Sequence, residues 1–211
     1  MRLHSKKLLL FTLCTTAVFS QTPANLRQAL DAIRSKDYQK AIGLLEAEVK
    51  RTPDMEEAHY YLGLALWESG RKDEGIVAMK KARQLAPKNA EYIYQLGNFY
   101  LEQKKYAEAK SIFNEGLKQK NKANFLFGLG RTYVAQDSLD KGLEFLFQAR
   151  EAAPNNSKIY KSMGAAYAKQ KVLVLAIDNY SKAVEIEPGW LEVHFIMGKL
   201  LFKERRVNDA L

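Results

Sequence analysis

Five glycines constrain this 211-residue chain more than any other feature. Gly63, Gly97, Gly130, Gly164 and Gly198 follow one another at intervals of 34, 33, 34 and 34 residues, a regularity that turn chemistry does not produce. A fixed period of this length signals a structural repeat, in which each unit buries its apolar face by stacking on the next. A large apolar residue precedes each glycine (Leu62, Leu96, Leu129, Met163, Met197). Leu66, Tyr100, Tyr133, Tyr167 or Leu201 follows three positions after it, on the same helical face. Twelve residues after each glycine stands a second small residue (Gly75, Ala109, Gly142, Ala176, Ala210), and nineteen after the first four stands a third (Ala82, Gly116, Ala149, Ala183). Bulky Met79, Phe113, Leu146 or Tyr180 lies between them. Glycine inside a helix costs roughly 0.5–1 kcal/mol relative to alanine, so its recurrence requires a compensating gain, the close approach of a neighbouring helix.

Polar or turn-forming tetrads, such as Ser69 to Lys72 and Gln136 to Leu139, separate two helical patterns within each period. Pro53, Pro87, Pro154 and Pro188 stand ten residues before the next reference glycine and stop the second helix, because proline forces its predecessor out of helical geometry. Each unit therefore reads as an antiparallel helix pair. The unit resembles the tetratricopeptide repeat, whose pattern is Leu-Gly, Tyr, Ala, a bulky aromatic, Ala and a closing Pro. Residues 56–89, 90–122, 123–156 and 157–190 carry the resemblance. A weaker first unit, 22–55, keeps the phase through Ala29, Ala41, Leu45 and Pro53 but has Gln28-Ala29 where Leu-Gly belongs, and residues 191–211 form an incomplete sixth. The resemblance implies an all-α fold, a right-handed superhelical solenoid of antiparallel helix pairs. It implies a binding scaffold but not a particular partner, since such repeats are reused in unrelated processes.

Residues 1–20 differ from the rest. Arg2, Lys6 and Lys7 precede a mostly apolar run, Leu8 to Phe19, and Ser20 with Val18 forms a cleavage point before Gln21, the layout of a secretory signal peptide. The run is shorter than the about 20 apolar residues of a membrane span and contains Thr12, Thr15 and Thr16, which favours cleavage over an anchor. Cys14 is the only cysteine and follows bulky Leu13, so lipidation is discounted and the cleaved chain has neither disulfide nor thiolate chemistry. Without the three leader cations the net charge falls from +9 to +6. No basic run interleaved with aromatics suggests a nucleic-acid reader. Peripheral attraction to anionic envelope polymers or lipid headgroups stays open.

Two departures from the repeat stand out. The 90–122 unit is one residue short, with Lys120 where the others have proline, which reads as a tolerated loop deletion in preference to a change of superhelical twist. Val172 to Leu175 replace a mostly polar turn. Exposure there would mark a self-association surface, whereas a run this short is expected to be partly buried. The chain stops just after Ala210, where a further second helix is due, which leads to the expectation of a longer natural polypeptide.

By resemblance, first-helix residues at fixed offsets from the glycine line a concave groove. Tyr60 and Trp67, Tyr94 and Asn98, Phe127 and Arg131, Lys161, and then Phe195 and Lys199 are the candidate partner-binding residues. Charge along the groove runs from acidic (Glu57, Glu68, Glu91, Glu102) to largely basic (Arg131, Lys158, Lys161, Lys199, Lys203), which would orient a bound segment anchored by aromatics. The carboxylate clamp of chaperone-tail-binding family members, a Lys and an Asn one helical turn apart, is not assembled: Ala165 follows Lys161 at that spacing, and Tyr94 precedes Asn98. His59 and His194 are four periods apart and are read as packing residues, not metal ligands. No nucleophile–base pair and no glycine-rich phosphate loop is present, so neither catalysis nor a cofactor is expected. The sequence thus predicts an exported, periplasmic or extracellular, non-catalytic scaffold for a protein or peptide partner. The competing reading is the interaction module of a longer enzyme or sensor whose active domain lies beyond residue 211, and self-association is a third.

Overall fold

The structure is a computed structural model that describes residues 23–208. The predicted leader and the Ala210 position lie outside the described residues. Eleven α-helices follow one another, with no strand among the described residues. They are α1 (Ala24–Arg34), α2 (Tyr38–Arg51), α3 (Glu56–Glu68), α4 (Lys72–Leu85), α5 (Ala90–Glu102) and α6 (Tyr106–Gly116). Next come α7 (Ala123–Ala135), α8 (Leu139–Ala152), α9 (Ser157–Lys169), α10 (Leu173–Ile186) and α11 (Leu191–Asn208). Each odd helix packs on the even helix after it, and each even helix packs on the next odd one, giving an all-α solenoid.

Local chemistry sets the helix ends. Asn89 and Asn156 cap α5 and α9 by accepting backbone N–H groups of the first turn, and Asp37 does so for α2. The first helix of each pair ends in a left-handed residue, at Lys36, Gly70, Lys104, Asp137 and Lys171, all seven positions after the reference residue. The next amide then reaches back five residues, as Arg71 N–H does to Leu66 O at 2.9 Å and Lys105 N–H to Tyr100 O at 2.9 Å. This is a Schellman closure, and it aims the second helix back along the first. Pro53, Pro87, Pro154 and Pro188 directly follow the C-cap residues of α2, α4, α8 and α10.

The reference glycines sit where helices meet most closely. An ideal Cβ on Gly63 would lie 3.1 Å from the Gly75 carbonyl oxygen and 3.2 Å from Met79 N, so α3 and α4 touch through their backbones. Farther along, Gly97 and Gly128 both face the buried Phe113 ring, and Gly116 faces Phe125. Tyr94 joins the same group, with ring centroids 6.0 Å from Phe113 and 6.3 Å from Phe125. The missing residue of the 90–122 stretch is absorbed partly by the helix and not by the loop alone: α6 has 11 residues where α4 and α8 have 14. Its last turn is given up to the connector, residues 117–122.

Two other features depart from expectation. In α2 the third small-residue position is taken by Glu48, which is fully buried and bound by Arg51 (Nη2 to Oε1, 2.6 Å). Val174 and Leu175 are 56% and 40% exposed, not partly buried, because the outer side of α10 faces solvent.

Candidate functional site

The trough is built from first-helix residues that point away from their own second helix. Two adjoining cavities of about 460 and 420 Å³ share Glu102, Arg131, Ser162 and Ala165, forming one continuous depression across α5, α7 and α9. Tyr94, Asn98, Phe127, Arg131 and Lys161 all line the first cavity, so the structure brings together five of the nine candidate residues. Small Ala165 and Ser162 on α9 leave the space that the surrounding side chains wall in.

The charges are held by specific contacts. Arg131 Nη1 donates to Asn98 Oδ1 at 3.1 Å, and its guanidinium lies 5.5 Å from the Phe127 ring centroid. Lys161 Nζ bonds Glu192 at 2.7 Å and stands 4.7 Å from the Trp190 ring, and this hydrogen bond holds the Glu192 carboxyl below the usual carboxylate range. Lys169 donates to Asp137 at 2.7 Å and to the Val134 carbonyl at 3.2 Å. Lys158 is exposed and has no ion-pair partner among the described residues, which leaves its ammonium available to a ligand.

The other candidates are placed differently. Trp67 is a correction: it is 6% exposed, stacks on Phe99 at 4.0 Å and gives its indole N–H to Glu102 at 3.2 Å, so it joins α3 to α5 and offers no open face. Phe127 is 5% exposed and contributes wall more than contact. Tyr60 is half-buried between Tyr61 and Tyr92, and its hydroxyl donates to Glu91 at 3.3 Å. Burial first and the Glu91 charge second raise its pKa well above the ordinary range for tyrosine. Phe195 is 64% exposed at the far end, with Lys199 Nζ 4.3 Å from its ring.

The offset rule missed Gln95, Ser162 and Trp190. Trp190 lies in the connector before α11, and a rule counted along helices does not reach connectors. The histidines also have a role the sequence reading left unspecified. His59 and His194 each donate Nε2–H to the carbonyl of the proline six residues earlier, both at 2.9 Å, and Tyr160 does the same to Pro154 at 3.0 Å. The repeated six-residue spacing from proline was the available signal. No group of three or more His, Cys, Asp or Glu side chains among the described residues could hold a metal, and no described helix is long and apolar enough to cross a membrane.

Comparison with known proteins places this geometry. Tetratricopeptide-repeat family models match residues 26–90 and 68–126, overlapping from the end of α3 to the start of α5 and together spanning 26–126. The chain belongs to the tetratricopeptide-repeat family. A small glutamine-rich tetratricopeptide repeat-containing protein of Dictyostelium discoideum is 33% identical over 101 residues, 47% of this chain and 30% of the relative. The peroxisomal targeting signal receptor of Saccharomyces cerevisiae is 24% identical over 193 residues, 71% of this chain and 32% of the receptor. The chain thus spans about a third of the length of these curated relatives. Among solved structures, a thermophilic tetratricopeptide-repeat protein of Thermus thermophilus aligns with a TM-score of 0.72 at 20% identity, over 84% of this chain and 97% of that one. PilW, a type IV pilus biogenesis factor, aligns with a TM-score of 0.74 at 17% identity over 88% of both chains. At these identities the structural likeness speaks to fold alone. Tetratricopeptide-repeat proteins generally mediate protein–protein interactions and are generally not catalytic.

Proposed function

We propose that this tetratricopeptide-repeat protein is a non-catalytic scaffold of the cell envelope that holds a segment of a partner protein in its trough. The observation that carries the reading is the continuous depression across α5, α7 and α9, in which aromatic walls stand beside Arg131, Lys158 and Lys161. Its volume, about 460 Å³ in the first cavity, suits a few side chains of an extended or helical segment. Three cations around one opening favour a segment with an acidic side chain, and Tyr94 and Trp190 favour an apolar neighbour to that acid. The envelope part of the reading rests on residues 1–20, which have the layout of an export signal. In this reading the protein works in the periplasm or outside the cell.

Fluorescence anisotropy with peptides that pair an acidic and an aromatic residue tests the trough. Lys158→Glu with Lys161→Glu, both at solvent-accessible positions, is expected to weaken binding at least tenfold while helix content is kept. Equal binding by the folded double variant would reject the trough. Export is tested separately, by sequencing the N-terminus of the secreted chain: a start at Gln21 supports the reading, and a retained Met1 in the cytoplasm overturns it.

A further inference from the structure

The two cavities of the trough differ in chemistry, and the boundary between them has a direction. They share Glu102 of α5, Arg131 of α7 and Ser162 and Ala165 of α9, so the boundary crosses all three helices. The first cavity lies toward the N-terminal ends of these helices, at Tyr94, Phe127 and Lys158, and the second toward their C-terminal ends, at Leu101, Ala135 and Lys169. The cavities are therefore displaced along the helix axes and not from one unit to the next. On each helix the lining moves by about four or five residues between them, or about 6–8 Å at the rise of an α-helix. Each of α5, α7 and α9 has another first helix on either side, so the division belongs to the interior of the solenoid.

The difference in chemistry follows from the offsets on which each cavity draws. Before the reference glycine and one residue after it stand Lys158, Lys161, Asn98 and Arg131, so the first cavity is polar and cationic. Four and five residues after the glycine stand Leu101, Val134 and Ala135, and Tyr106 adds a ring, so the second cavity has an apolar lining. Two charges beside it are already engaged. Glu102 accepts the Trp67 indole N–H at 3.2 Å, and Lys169 is held by Asp137 at 2.7 Å. A cavity of about 420 Å³ with this lining favours an aliphatic side chain over a charged one.

We infer that the partner segment lies along the axes of α5, α7 and α9, with its acidic side chain in the first cavity and an aliphatic side chain, such as leucine, in the second. This rests on the trough reading above and adds to it a direction and a further anchor. The displacement of about 6–8 Å sets the spacing of the two side chains. In an extended segment, residues two apart point the same way and stand about 6–7 Å from each other. In a helix, residues four apart share a face and stand about 6 Å apart along the axis. Immediate neighbours do neither, because successive side chains of a strand point to opposite faces and those of a helix diverge. The leucine is therefore two residues from the acid in an extended segment, or three to four in a helical one. The change of charge from unit to unit, from Glu57 and Glu91 to Lys158 and Lys161, then acts on the rate of encounter and not on register.

The test is fluorescence anisotropy on the full chain, with labelled peptides that carry the acidic and aromatic pair and a leucine at a varied distance from the acid. The leucine stands one, two, three or four residues away, on the side opposite the aromatic, and each peptide is made in both chain directions. At the favoured spacing leucine is expected to tighten binding about tenfold over serine at the same place. Next to the acid it is expected to gain no more than about twofold. Ala135→Gln, a neutral exchange at the exposed end of α7, is expected to remove the gain from leucine and leave the gain from the acid. Lys158→Glu is expected to weaken every acidic peptide alike. Acid-dependent binding with no gain from leucine, or with an equal gain from an adjacent leucine, overturns the inference and leaves the trough reading standing. Absence of acid-dependent binding overturns both. A benzophenone side chain in place of the leucine reports the direction once it is cross-linked by light. Attachment within residues 101–106 or 134–135 is expected, and attachment on α3 or α11 would show a segment running from unit to unit and overturn the inference.

Discussion

The helix pairs α3–α4 and α7–α8 solve the same packing problem differently from α5–α6 and α9–α10. In the first two, glycine opposes glycine: an ideal Cβ on Gly75 would lie 2.9 Å from the Gly63 carbonyl oxygen, and one on Gly142 3.1 Å from that of Gly130. The bulky residues there are aliphatic, Met79 and Leu146. In the other two pairs the second small residue is Ala109 or Ala176, and the bulky residue is aromatic, Phe113 or Tyr180, with its ring laid over Gly97 or Gly164. Where backbones touch, a slimmer aliphatic chain fills what space is left, as Leu146 does over Gly130. Where alanine holds them slightly apart, a ring fills the gap. What the repeat preserves is interhelix volume, and the residues supplying it trade against one another.

The comparison breaks most visibly at Gly97. A methyl group there would overlap the Phe113 ring, with Cζ at 2.7 Å, and the ring is fully buried and hemmed in from the other side by Gly128. Gly97→Ala is expected to cost about 3 kcal/mol, at the upper end of overpacking effects and well above the roughly 0.5–1 kcal/mol gained from helix propensity. If volume exchange is the rule, Phe113→Leu should rescue much of that loss, leaving a coupling of at least about 1 kcal/mol in a double-mutant cycle by urea denaturation. Strictly additive costs would show that the ring is not the obstacle.

Gly75→Ala should behave in the opposite way. Its three nearest obstacles, Gly63 O, Trp67 N and Trp67 Cα, are all backbone atoms, so no side chain can be trimmed to make room. A cost of about 2 kcal/mol is expected, and Met79→Ala should add its own cost to it within about 0.5 kcal/mol. Rescue by Met79→Ala would mean that α3 and α4 separate more readily than their contact implies.

These contrasts also show what the sequence could and could not reveal. The period, the helix pairing and the stop at each proline follow from residue types at fixed offsets, because each small residue has one geometric job. The Trp67 misplacement has a different origin. Its offset is a trough offset, but Phe99, two residues after the next reference glycine, stacks on it across the repeat boundary at 4.0 Å, and Glu102 takes its N–H. Contacts between units depend on both partners, so a pattern read one unit at a time does not reveal them. The same holds for α6, whose lost turn depends on where α7 must start. The trough itself was legible because Tyr94, Asn98, Phe127, Arg131 and Lys161 repeat the same two offsets. Trp190 was not, since a connector has no such register.

Gly164→Ala should give a smaller effect than either substitution above. The Tyr180 ring atoms lie 3.0 to 3.1 Å from the ideal Cβ, close enough to require a shift of a few tenths of an ångström but not an overlap. Once the propensity gain is included, a loss of about 1 kcal/mol is expected. A loss as large as that at Gly97 would show that α9 and α10 are as rigidly held as the aromatic centre of the molecule.

The smallest effect concerns the turn that closes each first helix. The α3–α4 turn passes through Gly70 at φ +91°, whereas the α9–α10 turn places Lys171 at φ +65°, in a left-handed region where a side chain brings its Cβ too close to the following carbonyl. Both turns make the same five-residue hydrogen bond, Arg71 N–H to Leu66 O at 2.9 Å and Val172 N–H to Tyr167 O at 3.0 Å, so the native geometry demands the same backbone from different residues. Lys171→Gly should therefore stabilise the protein and Gly70→Lys destabilise it, each by about 0.5–1 kcal/mol after the greater freedom of glycine in the unfolded chain is offset. Asp137→Gly should gain less than Lys171→Gly, because a short polar side chain tolerates this region better. Urea midpoints read at constant m-value distinguish these outcomes. If Lys171→Gly were destabilising, Lys171 would have to make a contact in the turn worth more than the strain it carries, and the two kinds of helix pair would differ in their turns as well as in their packing.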